Sequence, residues 1–565
     1  MFIRTVTVAC ALSLPLASFA QQASPPKLDV LMTPQYDGTK VNAIGVRLEI
    51  ENPHLDAGKV LLKMPTNAVS LTVPAYAPEA IDATDDAGKL SLTTADEPPL
   101  PSASIRQYLV NRATVGNVVI RYVGQPRQVD AQTRNGPLYD LRSEANGLLG
   151  GALYFMALPP DDKTYQITLD WDLSKVPAGT RGVWSLGEGR QKTVGTTYKL
   201  LLSGFAIGKV HSFPEDGKGP FALYWLSKPP FDMPKLAGET QAMYKYMAAF
   251  FKDPDSTYHI FARKNPYPSG GGSGWTQSFI FAYGENGEGS SGGDQQMLLA
   301  HETAHNWPRL DGANLSETAW YTEGTAEYYS TLLAYRAKLI TLDKFVRLVN
   351  EKAADYATNP FINLSNDEAG KKFWEDARAQ RVPYGRGFMY FVRLNAQIQD
   401  RSKGKRSLDD LVLEVLKRQR AGTKVFVADW RALVVGEIGE AGGREYDDMV
   451  AGKQIVPPPN ALSSCLKLAQ KTLRPFELGF DEMSMAVVRG VRAGSQAESA
   501  GLVNGDRIVS IANLGDAKKA EQQELSLVVA RGEHEQKVSY LPRGTPTQVW
   551  HWEMPAEGAS ARCKF

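Results

Sequence analysis

The stretch QQMLLAHETAHNW, residues 295–307, decides how the rest of the chain is interpreted. Only seven histidines occur in 565 residues, and His301 and His305 lie four apart with Glu302 between them. Residues four apart share one face of an α-helix, so both imidazoles can bind one metal ion. Glu302 then lies beside the metal, where it can take a proton from a water molecule. The alternative is a pair of structural histidines on an ordinary helix.

A catalytic zinc site needs a third protein ligand, and ETAWYTEGTAEYYS at 317–330 offers one. This segment predicts a second amphipathic helix, on which Glu323 and Glu327 lie four apart and share a face. Like charges at this spacing repel each other unless a positive group faces them. Glu323 is predicted to be the third ligand. Glu327 is predicted to accept from the second ring nitrogen of His301. Solvated surface glutamates are the alternative for both.

An HExxH motif followed by a glutamate in a Glu-Gly step resembles the gluzincin zinc metallopeptidases. The matching residues are His301, Glu302, His305 and Glu323. The wider pattern is similar to the glycyl aminopeptidase family, which joins an N-terminal β domain, a thermolysin-like catalytic domain and a C-terminal PDZ domain. By this resemblance the chain binds one Zn²⁺ ion and hydrolyses peptide bonds.

The resemblance also implies a role for Tyr384 in PYGRGFMYF, residues 383–391. Related gluzincins carry a tyrosine here whose hydroxyl donates to the oxyanion of the tetrahedral intermediate. Arg386 stands where the family often has lysine. A preset donor aimed at developing negative charge lowers the barrier by several kcal/mol. The alternative for Tyr384 is a core tyrosine at the start of a helix.

One departure from the family concerns SGGGSGWTQSF, residues 269–279. The relatives carry a glutamate in the corresponding strand that binds the free amine of the substrate. Its counterpart here is Ser273 or a neighbouring glycine, and no carboxylate occurs there; Glu285 and Glu288 come later, in a Gly-rich loop. Amino- and endopeptidase modes therefore both stay open. The stretch itself is either a strand that pairs with an extended peptide or a surface loop.

The stretches FELGF and AGLVNGDRIVSIAN, residues 476–480 and 500–513, look like a PDZ domain. By this resemblance Leu478, Gly479 and Phe480 form a carboxylate-binding loop, whose N–H groups hold a C-terminal peptide ligand. The ligand is a substrate, a partner or the tail of this chain. The alternative is a structural module that binds no peptide.

The N-terminal stretch MFIRTVTVACALSLPLASFA predicts a secretory signal peptide. Arg4 precedes an apolar run, and small residues lie before Gln21. The run is too short to span a membrane, and no later apolar run is long enough. We therefore expect a periplasmic or secreted protein. Cys465 and Cys563 then predict one disulfide bond, with two unpaired thiols as the alternative.

Length and composition predict a multidomain α+β protein. Apolar residues make up 43% and charged residues 22%, as in folded globular proteins. Short alternating runs predict an N-terminal β-sandwich-like domain, and helical periodicity predicts a mainly α, thermolysin-like domain after it. The predicted segments are a signal peptide (1–20), the β domain (21–212), the zinc peptidase domain (213–455), a linker (456–473), the PDZ domain (474–545) and a tail (546–565).

Together these features predict an exported zinc-dependent aminopeptidase that acts on peptides or proteins. The net charge of +1 provides no basic field for nucleic acid. Three alternatives stay open: an endopeptidase with PDZ-presented substrates, a non-catalytic PDZ-containing binding protein, and a zinc hydrolase of non-peptide amides or esters.

Overall fold

The computed structural model describes most of the chain. The described residues are 24–68, 71–100, 103–130, 133, 137–265, 271–275, 277–284, 294–312, 314–373, 375–463, 465–482 and 485–554. The predicted signal peptide, Cys563, Glu285 and Glu288 lie outside them. No helix in these ranges combines the length and the apolar character that crossing a membrane requires.

Between Lys27 and Gly208, most of the regular secondary structure is β-strand. Alternating apolar residues favour strands because every second side chain is buried, as with Leu28, Val30 and Met32 in the first strand. The elements are β1 (Lys27–Tyr36), β2 (Val41–Ile50), β3 (Val60–Ala68), β4 (Leu71–Thr72), β5 (Asp82–Asp85), β6 (Gly88–Leu90), β7 (Leu92–Asp96), β8 (Ala103–Val110), β9 (Val118–Gly124), β10 (Arg142–Glu144), β11 (Gly147–Gly151), β12 (Tyr165–Trp171), β13 (Arg181–Trp184), β14 (Gly187–Glu188), β15 (Gln191–Gly195), α1 (Tyr198–Leu201) and β16 (Gly204–Gly208).

These strands form three sheets, with the orders β15-β12-β1-β2-β9-β5-β6, β4-β3-β8-β7 and β10-β11-β16-β13-β14. Neighbouring strands are antiparallel, except that β1 and β12 are parallel. Buried side chains from all three sheets, such as Val30, Leu62 and Leu148, belong to one hydrophobic cluster. The three sheets therefore contribute to a common core.

A further sheet joins this region to the helices. Its strands are β17 (His211–Phe213), β18 (Phe221–Trp225), β19 (Tyr258–Lys264), β20 (Gly271–Trp275) and β21 (Ser278–Tyr283), in the order β17-β18-β19-β21-β20. The central strands β18, β19 and β21 are parallel and buried on both faces, which explains their continuous apolar sequence. One face packs against the β-rich region, where Val183 and Ala206 share a cluster with Phe261 and Ile280. The other face packs against the helices.

The segment after this sheet is helical. Side chains that accept from backbone N–H groups mark several starts: Asn314 accepts from Glu317 and Thr341 from Lys344, both at 3.2 Å. The helices are α2 (Met233–Phe250, which precedes β19), α3 (Gln295–Ala304), α4 (Leu315–Arg336), α5 (Leu342–Thr358), α6 (Asn366–Lys371), α7 (Ala377–Gln380), α8 (Val382–Ser402), α9 (Leu408–Arg420), α10 (Val427–Ile438) and α11 (Glu440–Val450).

Two glycines bring α4 and α8 into backbone contact. A Cβ added at Gly324 would lie 2.4 Å from the Cα of Gly387, and one added at Gly387 would lie 2.0 Å from the carbonyl oxygen of Trp320. No side chain fits at either position. Because α4 carries Glu323 and α8 carries Tyr384, this close crossing brings the two functional candidates together.

The C-terminal region contains a small unit with its own core. Leu478, Phe480 and Val529 are buried in this core. The strands β23, β24 and β25 form an antiparallel sheet. The elements of the region are β22 (Lys467–Leu473), α12 (Gln496–Ser499), β23 (Arg507–Ala512), α13 (Leu514–Lys519), β24 (Leu525–Arg531), β25 (His534–Tyr540) and β26 (Thr547–Glu553).

Strands β22 and β26 flank the small unit and pair with each other. The side-chain amide of Asn350, on α5, donates to the carbonyl oxygen of Trp552 at 2.9 Å, and the N–H of Trp552 donates to Asn350 Oδ1 at 2.7 Å. The residues interpreted from sequence as a linker and a tail therefore include two ordered strands that hold the small unit to the helical part. The sequence did not predict these strands, because β22 is largely exposed and so lacks a regular pattern of buried apolar residues.

Replacing Gly387 with alanine should destabilise the protein, because the added methyl group forces α8 away from α4. Overpacking of this kind costs about 1–3 kcal/mol. The matched control is Gly436→Ala, since Gly436 lies in α10 with no atom near an added Cβ. At Gly436 the higher helix propensity of alanine predicts no loss in the free energy of unfolding, or a gain of up to about 1 kcal/mol. Urea unfolding of both variants measures the difference; equal stabilities would contradict the close crossing.

Candidate metal centre

Helix α3 supplies two of the predicted metal ligands. Asp294 starts the helix by accepting a hydrogen bond of 3.2 Å from the N–H three residues on. The helix ends at Ala304, one residue before the second histidine, but His305 keeps helical backbone angles (φ −59°, ψ −12°). Its ring therefore still lies one turn beyond that of His301, and the Nε2 atoms of the two rings are 3.1 Å apart.

Helix α4 brings a third donor to the same point. Glu323 Oε2 lies 3.3 Å from Nε2 of His301 and 3.3 Å from Nε2 of His305. The three atoms thus form a nearly equilateral triangle. All three side chains are mostly withdrawn from solvent, with exposed fractions of 11%, 23% and 15% for His301, His305 and Glu323.

This triangle matches the ligand set of a tetrahedral zinc ion. Zn–N and Zn–O bonds of 2.0–2.2 Å at tetrahedral angles place neighbouring ligand atoms about 3.3 Å apart. Among the described residues, His301, His305 and Glu323 are the group of metal-binding side chains that converges in this way. Two imidazoles with one carboxylate favour zinc among the divalent ions. The residues present therefore fit a zinc ion, with a fourth position left for a small ligand.

The protonation of Glu323 suits a metal ligand. Burial acts to raise the pKa of this carboxyl, but His305 and His301 outweigh the burial and hold the pKa well below its usual range. A carboxylate that stays ionised keeps its lone pairs for a cation.

The pKa of Glu302 shifts in the opposite direction to that of Glu323, although the two carboxyl groups lie close together. Burial raises the pKa of Glu302, and the charge of Glu323 adds to this effect, while His305 and His301 oppose it. Within the described ranges, no group donates a hydrogen bond to its carboxylate. A carboxyl with a raised pKa and free oxygens is suited to accept a proton and release it again.

Two tyrosines that the sequence did not single out lie within the electrostatic influence of Glu302. Burial and then the charge of Glu302 raise the pKa of Tyr258 on β19. Burial raises the pKa of Tyr139 as well, with smaller contributions from Tyr198 and Glu302. Tyr139 belongs to the β-rich region, so the charge of Glu302 acts on a residue of that region. No spacing rule links Tyr139 to Glu302, which lies 163 positions later, so only the tertiary structure reveals this influence.

Tyr384 lies in the first turn of α8, against the metal ligands. Its ring stacks on that of His301, with centroids 5.7 Å apart and an angle of 10° between the planes. Burial and the nearby carboxylates of Glu323 and Glu302 raise the pKa of Tyr384 far above its usual range. The phenol is therefore protonated at any physiological pH and can act as a hydrogen-bond donor.

Glu327 lies behind His301, on the side away from the ligand triangle. Its Oε1 atom is 3.1 Å from Nδ1 of His301, while its Oε2 atom forms an ion pair with Nζ of Lys352. Burial lowers the pKa of Lys352 to about 8, so the ammonium group still predominates at neutral pH. The sequence placed Glu327 behind His301 but did not identify Lys352.

The periodicity of α5 contains a feature that could have identified Lys352. Phe345, Val349 and Tyr356 are buried at helical spacing, and Lys352 falls on the same face. A lysine on the apolar face of a helix needs a partner with negative charge, because an unpaired buried charge is costly. That requirement would have predicted a carboxylate opposite it.

The Gly-rich stretch forms the edge strand β20, and Ser273 faces the β-rich region from it. The hydroxyl oxygen of Ser273 accepts a hydrogen bond of 2.8 Å from the N–H of Leu138. Gly274 is exposed, and an added Cβ there would meet no atom within 4 Å. Neither residue offers a carboxylate for a substrate amine.

The predicted carboxylate-binding loop is formed by residues whose side chains are buried or absent. Leu478 and Phe480 are buried, and Gly479 has a left-handed backbone (φ +84°) where an added Cβ would lie 2.5 Å from that of Ala497. In the described chain, the N–H groups of Gly479 and Phe480 donate to no acceptor.

Cys465 is disulfide-bonded. Its predicted partner lies outside the described residues, so that pairing stays a prediction.

Comparisons with known proteins found one matching family model and several similar folds. The family model described as M61 glycyl aminopeptidase matches residues 295–383, which include α3 to α7 and end at the second residue of α8, just before Tyr384. An aminopeptidase N family protein from Idiomarina loihiensis has a similar structure, with a TM-score of 0.62 and 14% identity over 94% of this chain and 98% of that chain. This likeness shows a shared fold: a multidomain α+β protein with a β-rich N-terminal region and a helical part after it.

Other solved structures are more distant. The M1 zinc metallopeptidase from Deinococcus radiodurans has a TM-score of 0.47 and 15% identity over 78% of this chain and 95% of that chain. Yeast LTA4 hydrolase has a TM-score of 0.48 and 14% identity over 77% of this chain and 69% of that chain. No curated protein matches the sequence.

Adding zinc to chelator-treated protein should stabilise the folded state, because the triangle of ligands exists only in the native state. Zinc at 100 times its dissociation constant adds about 2.7 kcal/mol. Glu323→Gln removes the anionic ligand and should abolish most of the rise in melting temperature. The control is Glu414→Gln on α9, whose carboxylate pairs with Arg418 of the same helix. Differential scanning calorimetry measures the shift; an equal shift in both variants would rule out Glu323 as a ligand.

Proposed function

We propose that the protein is a zinc-dependent peptidase with its active site between α3, α4 and α8. The observation that carries the proposal is the triangle of Nε2, Nε2 and Oε2 atoms from His301, His305 and Glu323, 3.1–3.3 Å apart. The match to the glycyl aminopeptidase model over 295–383 supports it. A structural zinc would have no use for the unengaged carboxylate of Glu302 beside it.

The residues of the site divide the chemistry between them. A bound zinc ion lowers the pKa of a water molecule and polarises the carbonyl group of the substrate. Glu302 accepts the proton as the water oxygen attacks the carbonyl carbon. The same carboxyl then gives the proton to the leaving nitrogen as the C–N bond breaks. Its raised pKa fits both halves of this transfer.

Tyr384 stabilises the charge that develops on the substrate oxygen. Its hydroxyl remains protonated, since burial and two carboxylates raise its pKa. Its ring is fixed against His301 by stacking, so the donor is in place before the reaction begins. Such preorganised donors contribute about 2.7–4 kcal/mol to a transition state.

The substrate is an extended peptide, and we propose removal of N-terminal residues as the primary mode. The name of the matching family favours this mode. Endopeptidase action is the second candidate, because neither Ser273 nor Gly274 offers a carboxylate to a terminal amine.

We also propose the domain organisation and the location given by the sequence. The β-sandwich-like, thermolysin-like and PDZ domains span 21–212, 213–455 and 474–545, and residues 1–20 direct export to the periplasm or medium. The disulfide at Cys465 supports an oxidising compartment. The free N–H groups of Gly479 and Phe480 support capture of a C-terminal carboxylate by the PDZ-like loop.

The decisive experiment is digestion of an unbiased peptide mixture, read by mass spectrometry. The protein should shorten peptides stepwise from the N-terminus, and both Glu302→Gln and chelation should abolish the cleavage. Losing a general base lowers rates by about 10²–10⁴-fold. Zinc content must remain unchanged in Glu302→Gln, because this residue is not one of the ligands.

Each outcome of the digestion selects one function. Internal cuts that depend on Glu302 would replace the aminopeptidase mode by the endopeptidase mode. Absence of any cleavage by zinc-loaded protein would exclude a peptidase and leave a binding protein or a hydrolase of other amides and esters.

Tyr384→Phe should lower kcat about 100-fold with little change in KM, because the donor acts on charge that appears only in the transition state. Tyr390→Phe is the matched control: it lies on the same helix, buried and apart from the ligands. Steady-state kinetics on one cleaved peptide compares the two. Full activity of Tyr384→Phe would leave this residue without a catalytic role.

A further inference from the structure

Three side chains from three helices form a continuous series that ends at the ligand triangle. Lys352 on α5 pairs with Oε2 of Glu327 on α4, and Oε1 of Glu327 lies 3.1 Å from Nδ1 of His301 on α3. The opposite nitrogen of the same ring, Nε2, belongs to the triangle. The two oxygens of one carboxylate therefore link a cation to the back of a metal ligand.

The burial of this series makes the cation important. The exposed fractions of Lys352, Glu327 and His301 are 20%, 17% and 11%. A carboxylate in such surroundings takes its orientation from the groups that it contacts rather than from water. With one oxygen held by the ammonium group of Lys352, Glu327 presents its other oxygen to Nδ1 of His301. The opposite ring nitrogen, Nε2, then faces the triangle.

We propose that Lys352 is a positioning residue of the metal centre. It orients Glu327, so that Glu327 accepts from Nδ1 of His301 and holds the ring with Nε2 turned toward the ion. This inference rests on the proposed function and adds to it a residue two contacts behind the metal ligand His301.

The surroundings of Lys352 agree with this role. Its Nζ atom lies 6.0 Å from the centre of the Phe388 ring, on α8. Asp355 and Asp294 contribute further negative charge near it. Lys344, the other lysine of α5 that faces α3, pairs instead with Asp294 at 3.0 Å and Gln296 at 2.9 Å. It therefore serves as a control for the general docking of α5 on α3.

The test is the zinc affinity of the chelator-treated full chain, measured without substrate by competition with a chromogenic chelator. Lys352→Met should weaken zinc binding about 10-fold, the lower end of the loss expected for groups that orient a ligand. Lys344→Met should stay within about 3-fold of the unaltered protein. The double variant Lys352→Met/Glu327→Gln should bind zinc no more weakly than Glu327→Gln alone, because the lysine acts through that carboxylate.

Two results would overturn the inference: unchanged affinity in Lys352→Met, or losses that add up in the double variant. Circular dichroism establishes that each variant is folded. If Lys352→Met is unfolded, Lys352→Gln replaces it, and the same results are expected for that variant. If the unaltered protein itself fails to bind zinc, the proposed function is refuted instead. This result is distinct from failure of the inference, because it appears without any variant.

Discussion

The whole arrangement depends on three lone-pair donors that face one another across 3.1–3.3 Å. Two imidazoles and an ionised carboxylate that converge in a mostly buried place need a shared partner, since desolvated polar groups are costly without one. A zinc ion would be such a partner at the distances that the triangle sets. The roles proposed for Glu302 and Tyr384 have meaning only if this ion is present.

The scaffold serves that constraint through close packing of helices. The glycines at 324 and 387 allow α4 and α8 to touch, which brings Glu323 and Tyr384 to the histidines of α3. Helix α5 then closes the site from behind with Lys352 and binds β26 through Asn350. One helix thus connects the metal centre to the strands that hold the C-terminal unit.

The sequence predicted those parts of the site that local spacing controls. A spacing of four on a helix brought His301 and His305 together, and helical periodicity placed Glu323 and Glu327 on one face. Contacts between distant segments could not be predicted, because no periodicity describes them. The hydrogen bond from Leu138 to Ser273, the proximity of Tyr139 to Glu302, and the strands β22 and β26 all arise in this way. Loop length and tertiary packing set such contacts, and neither is encoded in one stretch.

The most direct measurement is anomalous diffraction at the zinc absorption edge from crystals of the protein grown with zinc. We expect one strong peak about 2.0–2.2 Å from Nε2 of His301, Nε2 of His305 and Oε2 of Glu323. Glu302 should lie beside the ion without binding it. A peak held by other residues, or none at the triangle under saturating zinc, would contradict the account.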